Sequence, residues 1–336
     1  MTIREWFTMA VAGAAALAIC GVAHAQTDVR MIGFGGANNL ITWIAIDKGL
    51  FAREGLKVTL DRTPGSREQM KDMMEGKYHF ATTAFDNIIA YTEGQGRDNL
   101  PGYDIVAIMG AHNGFNSVVV RPEIQGYADI KGKALAVDSP KSGYATMMYE
   151  IIKRKTGMVQ EKDYSILQVG GTGARVKALK EGGAVIAAIS SPDDQQLKAA
   201  GFRILGDAAL EIGAYQGSTY AVRRSWAKDN EKTVLSFVRA TVAATDWLVA
   251  DKAGTIEVLR ARVKGLDEAT AGIIYQGLLG PGGMTRKGVL NAKGIETVLQ
   301  LRRQSGNKAG DAGRSWAWAG VAETVRRREQ VRLTHA

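Results

Sequence analysis

From Val29 onward, short β-patterned runs alternate with helical runs, and turn chemistry separates each from the next. That alternation restricts the chain to parallel-type sheets with helices as crossovers, because parallel strands cannot be joined by a tight hairpin. Val29 to Phe34 reads as a strand ending in Gly35-Gly36, and Asn39 can cap a helix from Leu40 to Lys48 that stops at Gly49. Leu56, Val58 and Leu60 alternate as a strand. Ser66-Arg67-Glu68-Gln69 has capping-box spacing and precedes Met70, Met73 and Met74 at helical spacing, with Gly76 at the end. Such a methionine stripe reads as core packing. Tyr78 to Thr82 follows as a strand, Asp86 as a helix cap, and Asp104 to Gly110 as a fourth strand.

A second unit repeats the pattern. Ala134 to Val137 reads as a strand, and Ser142 opens a helix that runs to Thr156 and ends at Gly157. Tyr164 to Val169 is a strand, Ala174 to Glu181 a helix, and Val185 to Ile189 a buried strand. A helix capped near Pro192-Asp193 and a short strand at Phe202 to Leu205 complete the unit. Between the two units lie Phe115 to Arg121 and Tyr215 to Arg223, extended segments rich in Val, Tyr, Thr and Ser that suit crossing strands. After Ser225 the chain reads as helices, with Val234, Phe237, Val238 and Val242 marking one buried face.

The expected fold is therefore α/β and two-lobed, each lobe a mainly parallel sheet flanked by helices, joined by two crossover strands. The 336-residue length fits two domains. Lobe 1 is expected to comprise residues 26–114 and 219–305, and lobe 2 residues 115–218. A polar basic tail, 306–336, ends in Arg326-Arg327-Arg328, the pattern of a solvated segment.

Residues 1–25 read as a signal peptide: Arg4, an Ala-rich apolar run from Met9 to Ala23, then Ala23-His24-Ala25 with small residues where a signal peptidase cuts. Export to the periplasm and cleavage after Ala25 are expected. Glu5 cancels Arg4, and Ile19 before Cys20 is too bulky for lipoprotein processing. Cleavage removes Arg4, Glu5 and Cys20, so the mature chain keeps its net charge of +9 and has no cysteine. Disulfides, thiolate nucleophiles and Cys-based zinc sites are thereby excluded. His79, His112 and His335 have no metal-motif spacing, so neither a metal nor a cofactor is expected. The positive balance could attract an anionic ligand or simply solvate the surface; no nucleic-acid signature accompanies it.

Catalytic motifs are lacking. There is no G-x-S-x-G elbow and no phosphate-binding P-loop, and the glycines Gly33, Gly35 and Gly36 break dinucleotide spacing because residue 38 is Asn. What recurs is small polar residues just after strand C-termini, where open α/β sheets bind ligands. In the first unit these are Asn38 and Asn39, Thr82, Thr83 and Asp86, then His112 and Asn113. In the second they are Ser139, Ser142 and Gly143, Gly171 and Thr172, then Ser190, Ser191 and Asp193. Facing lobes carrying such rows form a binding cleft. Gly36 and Gly143, with Gly35 and Gly114, allow backbone to approach a ligand. The helix start after Ser142, with Lys141 beside it, suits an anion; the alternative is that Ser142 merely caps and Lys141 faces water. Trp43, Phe85, Phe115, Tyr144 and Tyr215 could sandwich an apolar body, with a core role open for Trp43. His112 could contact ligand or cap local backbone.

Ala45-Ile-Asp-Lys-Gly-Leu-Phe-Ala-Arg-Glu-Gly-Leu-Lys-Val58 resembles the signature A-x-D-K-G-x-F-x-x-E-G-L-x-V of substrate-binding proteins of ABC importers. The branch is the SsuA/THI5-like, NMT1-like one that handles alkanesulfonates, taurine, nitrate and thiamine-pyrimidine precursors. Lys177-Ala-Leu-Lys-Glu-Gly182, the following Val185 to Pro192, and Trp226 through Trp247 extend the resemblance, which covers nearly all of residues 27 to 305. Ile186 departs from it, standing where the family often has Asp. The resemblance implies a two-lobed periplasmic receptor that delivers its solute to a membrane permease, and it transfers no ligand identity to this chain. The residues themselves lead to the expectation of a monomeric receptor, without catalytic residues or cofactor, whose lobes close on a small organic anion. Two other readings stay open: a thiamine-pyrimidine biosynthetic enzyme on the same scaffold, and a ligand-sensing domain of a signalling system.

Overall fold

The computed structural model describes residues 25–96 and 102–309. The signal-peptide reading with Cys20, the basic tail from 310 and His335 lie outside the described residues.

The described residues form two five-stranded sheets. The first is built from β1 (Thr27–Gly33), β2 (Leu56–Arg62), β3 (Phe80–Ala84), β4 (Ile105–His112) and β10 (Ser218–Arg223), in the order β2-β1-β3-β10-β4. The second is built from β5 (Ser117–Val120), β6 (Ala134–Val137), β7 (Ser165–Gln168), β8 (Ile186–Ile189) and β9 (Arg203–Asp207), in the order β7-β6-β8-β5-β9. β1 runs parallel to β2 and β3, and β6 parallel to β7 and β8. Each sheet holds one reversed strand in the same place: β10 is antiparallel to β3 and β4, and β5 is antiparallel to β8 and β9. The sheets are thus mixed. The reversed strands are the two segments expected to cross, and each follows a short link from one sheet to the other: four residues separate His112 from Ser117, and five separate Ile212, the end of the helix after β9, from Ser218.

The two links lie against each other. A Cβ on Gly217 would meet the backbone nitrogen of Gly114 at 2.4 Å. Gln216, fully buried, donates to the carbonyls of Ser218 and His112 and accepts from the Asn291 N–H at 2.7 Å, tying both links to the start of the helix Ala292–Gln304.

In the first lobe, the helices Leu40–Asp47 and Glu231–Ala250 pack on the sheet. Phe237 stacks on Phe80 and on Phe51 at the centre of that core. The helix Ala292–Gln304 packs on Phe85–Thr92 of the first lobe and on Gly143–Thr156 of the second. One apolar cluster accordingly runs from Ile88 and Ile89 through Met147 and Ile151 to Ile295 and Leu299. Met70 and Met73 are fully buried in it, as the stripe implied, whereas Met74, also placed in the core by that reading, is only half-buried.

Local starts differ from the sequence expectation at three helices. Gly65, not a Ser66 capping box, takes the N-cap of Ser66–Met74: the Thr63 hydroxyl accepts from the Gly65 N–H and shifts the start by one residue. Asn39 stands at the N-cap of Leu40–Asp47, but its side-chain amide donates back to the Phe34 carbonyl and closes the preceding loop. Asp86 is the second residue of Phe85–Thr92, whose N-cap is Ala84, and its carboxylate is engaged elsewhere. Ile186, where the resemblance pointed to a missing carboxylate at a surface or cleft contact, is fully buried in β8 between Val120 and Leu135.

Candidate functional site

The carboxyl ends of β1, β3, β4, β6 and β8 converge between the lobes, where open α/β sheets leave a crevice. An inner cavity of about 50 Å³ lies there. It continues into an outer mouth of about 690 Å³, with Asn87, Asp138 and Ser142 lining both spaces. The lobes are drawn together over the cavity. The Ala37 N–H donates to the Ser191 carbonyl at 2.9 Å, and Gly36, at φ 96° and ψ −173°, lies where a Cβ would meet that same oxygen at 2.8 Å. On the other side Gly143 packs so closely that a Cβ there would meet the Asp86 Cβ at 2.4 Å. Both glycines are set by contact between lobes.

Two helix N-termini point into the cavity. Ser142 caps Gly143–Thr156, its hydroxyl accepting from the Ala145 N–H at 3.2 Å and donating to Asp138 Oδ1 at 2.5 Å. Gly171 is the N-cap of Thr172–Glu181, and Gly171, Thr172, Ser142 and Gly143 all line the cavity. Unpaired N–H groups and the helix dipole make each such end attractive to negative charge.

Arg175, one turn into the second of these helices, adds a full positive charge. It is 8% exposed; its Nη1 donates to the Ala188 carbonyl and its Nη2 to the Thr172 hydroxyl at 3.0 Å. Its Nε, also buried, has no partner, and among the described residues the guanidinium forms no ion pair. Burial pulls its pKa down, partly offset by Asp138, Tyr144 and Asp193. A buried guanidinium left without a carboxylate costs several kcal/mol. Asn38 Oδ1 and Thr82 Oγ1 of the first lobe, whose residues line the same cavity, are likewise buried without partners. His112 completes the hinge side with Asn116 and Ser218.

The sequence-predicted residues therefore separate into groups. Asn38, His112, Ser142, Gly143, Tyr144 and Thr172 line the inner cavity, as do Thr82, Gly171 and Ser190. Lys141 is exposed and reaches only the outer mouth, with Ser139, because its side chain leaves the cap on the solvent side. The others lie behind the wall. Phe85 and Phe115 are core residues, and Trp43 packs against the first-lobe core. Thr83 is fully buried, its hydroxyl accepting from Asn87. Asn39 closes its own loop, and Asn113 accepts from Asn291. Asp86 pairs with Arg302 at 2.9 Å, both fully buried, burial raising the carboxyl pKa against the pull of that guanidinium. Ser191 donates to Asp194, and Tyr215 donates to the Gly143 carbonyl at 3.2 Å and sits beside the Tyr144 ring. Gly36 acts between lobes. The residues not anticipated are Asp138, Arg175, Asn87 and Asn116. Asp138 and Asn116 do follow strand ends, but Arg175 is spaced like any surface residue of a helix. No group of three or more His, Cys, Asp or Glu side chains among the described residues could hold a metal.

Two mixed sheets, each holding one reversed strand and closed over a cavity, define the two-lobed periplasmic binding protein fold. The profile of the NMT1/THI5-like family matches residues 37–254, and the chain belongs to that family. The alkanesulfonate-binding protein SsuA from Xanthomonas axonopodis pv. citri, solved bound to MOPS, shares the fold at TM-score 0.67 and 19% identity, covering 83% of this chain and 93% of that one. The periplasmic nitrate-binding protein NrtA from Synechocystis PCC 6803 does so at TM-score 0.68 and 13% identity, covering 90% and 86%. YtlA of Bacillus subtilis (strain 168), named as a candidate binding protein, is 23% identical over 209 residues, and this chain spans about three-fifths of that curated relative's length.

Proposed function

We propose that this chain is an exported, monomeric solute receptor that captures a small organic anion between lobes 26–114 plus 219–305 and 115–218, then presents it to the permease of an ABC-type importer. Arg175 carries the reading: a buried cation without a counter-ion, set where two helix N-termini converge on an enclosed cavity, is the arrangement that a carboxylate, sulfonate or nitrate would satisfy. Asn38 and Thr82 supply the first-lobe wall, so the ligand touches both lobes and favours the shut form. The family and the fold support a binding role. No bond is made or broken in it. The test is a thermal-shift screen of the mature protein with small sulfonates, carboxylates, nitrate and pyrimidines, followed by calorimetry on each hit. A ligand specific to the folded form raises the melting temperature. Stabilisation by neutral pyrimidines alone, or by nothing in the set, would remove the anion reading.

A further inference from the structure

His112 ends β4 at the first link between the lobes, is 4% exposed, and lines the inner cavity. Its Nδ1 lies 3.2 Å from the backbone nitrogens of both Gly114 and Phe115, which donate to it. A ring nitrogen that accepts two N–H groups carries no proton, so the proton of the neutral ring is on Nε2. Among the described residues, no protein partner is shown for Nε2.

Resting on the capture reading above, we propose that His112 is a fixed, neutral donor whose Nε2–H bonds to an acceptor atom of the captured molecule. The site then demands an acceptor at that point and rejects a donor. Protonating Nδ1 would set a third N–H against two others, so the ring cannot serve as a cation without breaking the turn at Gly114. Burial alone pushes the imidazole down to about 4. The ionisable groups around it do not alter that. Asp138, Tyr144 and Arg175 share the cavity; Asp86 on the helix behind β4 is paired with Arg302; Arg223 sits at the far end of β10; Arg286 and Lys287 belong to the turn packed on β4.

A purely structural cap would look the same from Nδ1, and His112→Asn separates the two roles. Asparagine places Oδ1 near the position of Nδ1 and keeps the turn, but offers nothing at Nε2. Ethanesulfonate, acetate and nitrate serve as probes. For each probe that binds the wild type, His112→Asn is expected to weaken it about tenfold, the worth of one buried hydrogen bond, with the ligand-free melting temperature within about 3 °C. Unchanged affinity overturns the proposal and leaves His112 a cap. In ¹⁵N-histidine-labelled protein, long-range ¹H–¹⁵N spectra should show the Nε2–H form from pH 5 to 8, and a bound probe should shift Nε2. A ring protonated on Nδ1, or titrating within that range, also overturns it. If no probe binds the wild type, the small-anion reading fails and the spectra alone decide the state of His112.

Discussion

The backbone N–H of Ala37 and the carbonyl of Ser191 meet at 2.9 Å, and they belong to different lobes. The hydrogen bond joins the loop after β1 to the loop after β8, so it exists only while the cleft is shut. Its approach depends on Gly36, whose backbone lies in a region that is essentially reserved for glycine. Gly36→Ala places a methyl against the Ser191 oxygen and adds backbone strain of roughly 1–3 kcal/mol. The expected result is about tenfold weaker ligand binding and a larger radius of gyration by X-ray scattering with ligand present. Wild-type affinity and full compaction would mean that the glycine is not needed for closing.

Arg175 makes an unusual combination of demands. Replacing it with Met should lower affinity for an anionic ligand by about a hundredfold, since charge-assisted hydrogen bonds are lost. The ligand-free protein should nevertheless be as resistant to urea as the wild type, or more so, because an unpaired desolvated charge is gone. A large drop in the urea midpoint would instead assign Arg175 to holding Ala188 and the helix start.

The Asp86–Arg302 pair is the opposite case, two charges that answer each other in the interior. Besides Asp86, Arg302 donates to the Lys308 carbonyl and to Gln95 at 2.7 Å. Arg302→Met should cost about 3–5 kcal/mol in chemical denaturation by stranding the carboxylate, and adding Asp86→Leu should recover part of the loss. Additive losses would show that the pair is not coupled.

His112 also links stability to pH. Its imidazole is held at about 4, whereas in an unfolded chain it takes up a proton near 6.5. Between those values the unfolded state binds the extra proton, so stability falls as pH drops through the window and levels off below it. Comparing pH 7.5 with pH 4.5, the wild type should lose roughly 2–3 kcal/mol more than His112→Asn. Equal losses in urea titrations would mean that the ring is not kept neutral.

The layered architecture was readable because local signals agreed with each other. The helix Gly143–Thr156 shows this, capped by Ser142 and stopped at Gly157, whose φ of 76° suits glycine. The placement of β10 between β3 and β4 was not readable, since strand partners are chosen by tertiary packing. The aromatic residues misled for a physical reason. Phe85 and Phe115 do follow strand ends, but large rings there gain more from the core just behind the wall than from a cavity too small to hold them. Arg175 was hidden differently: helical spacing assigns a residue to a face, and only the fold shows that this face lies against the other lobe.

The location of β10 also decides the order in which the molecule can be completed. β3 and β4 do not pair; a strand made more than a hundred residues later must slide between them. The second sheet has no such debt, because all five of its strands come from one uninterrupted stretch. As the chain emerges, that sheet can close first, while the earlier-made one waits with two raw edges for its missing strand. Pulse-labelled hydrogen exchange during refolding should find amides of β5 to β9 protected ahead of those of β3 and β4, with the unfinished edges as the moment of greatest exposure to aggregation.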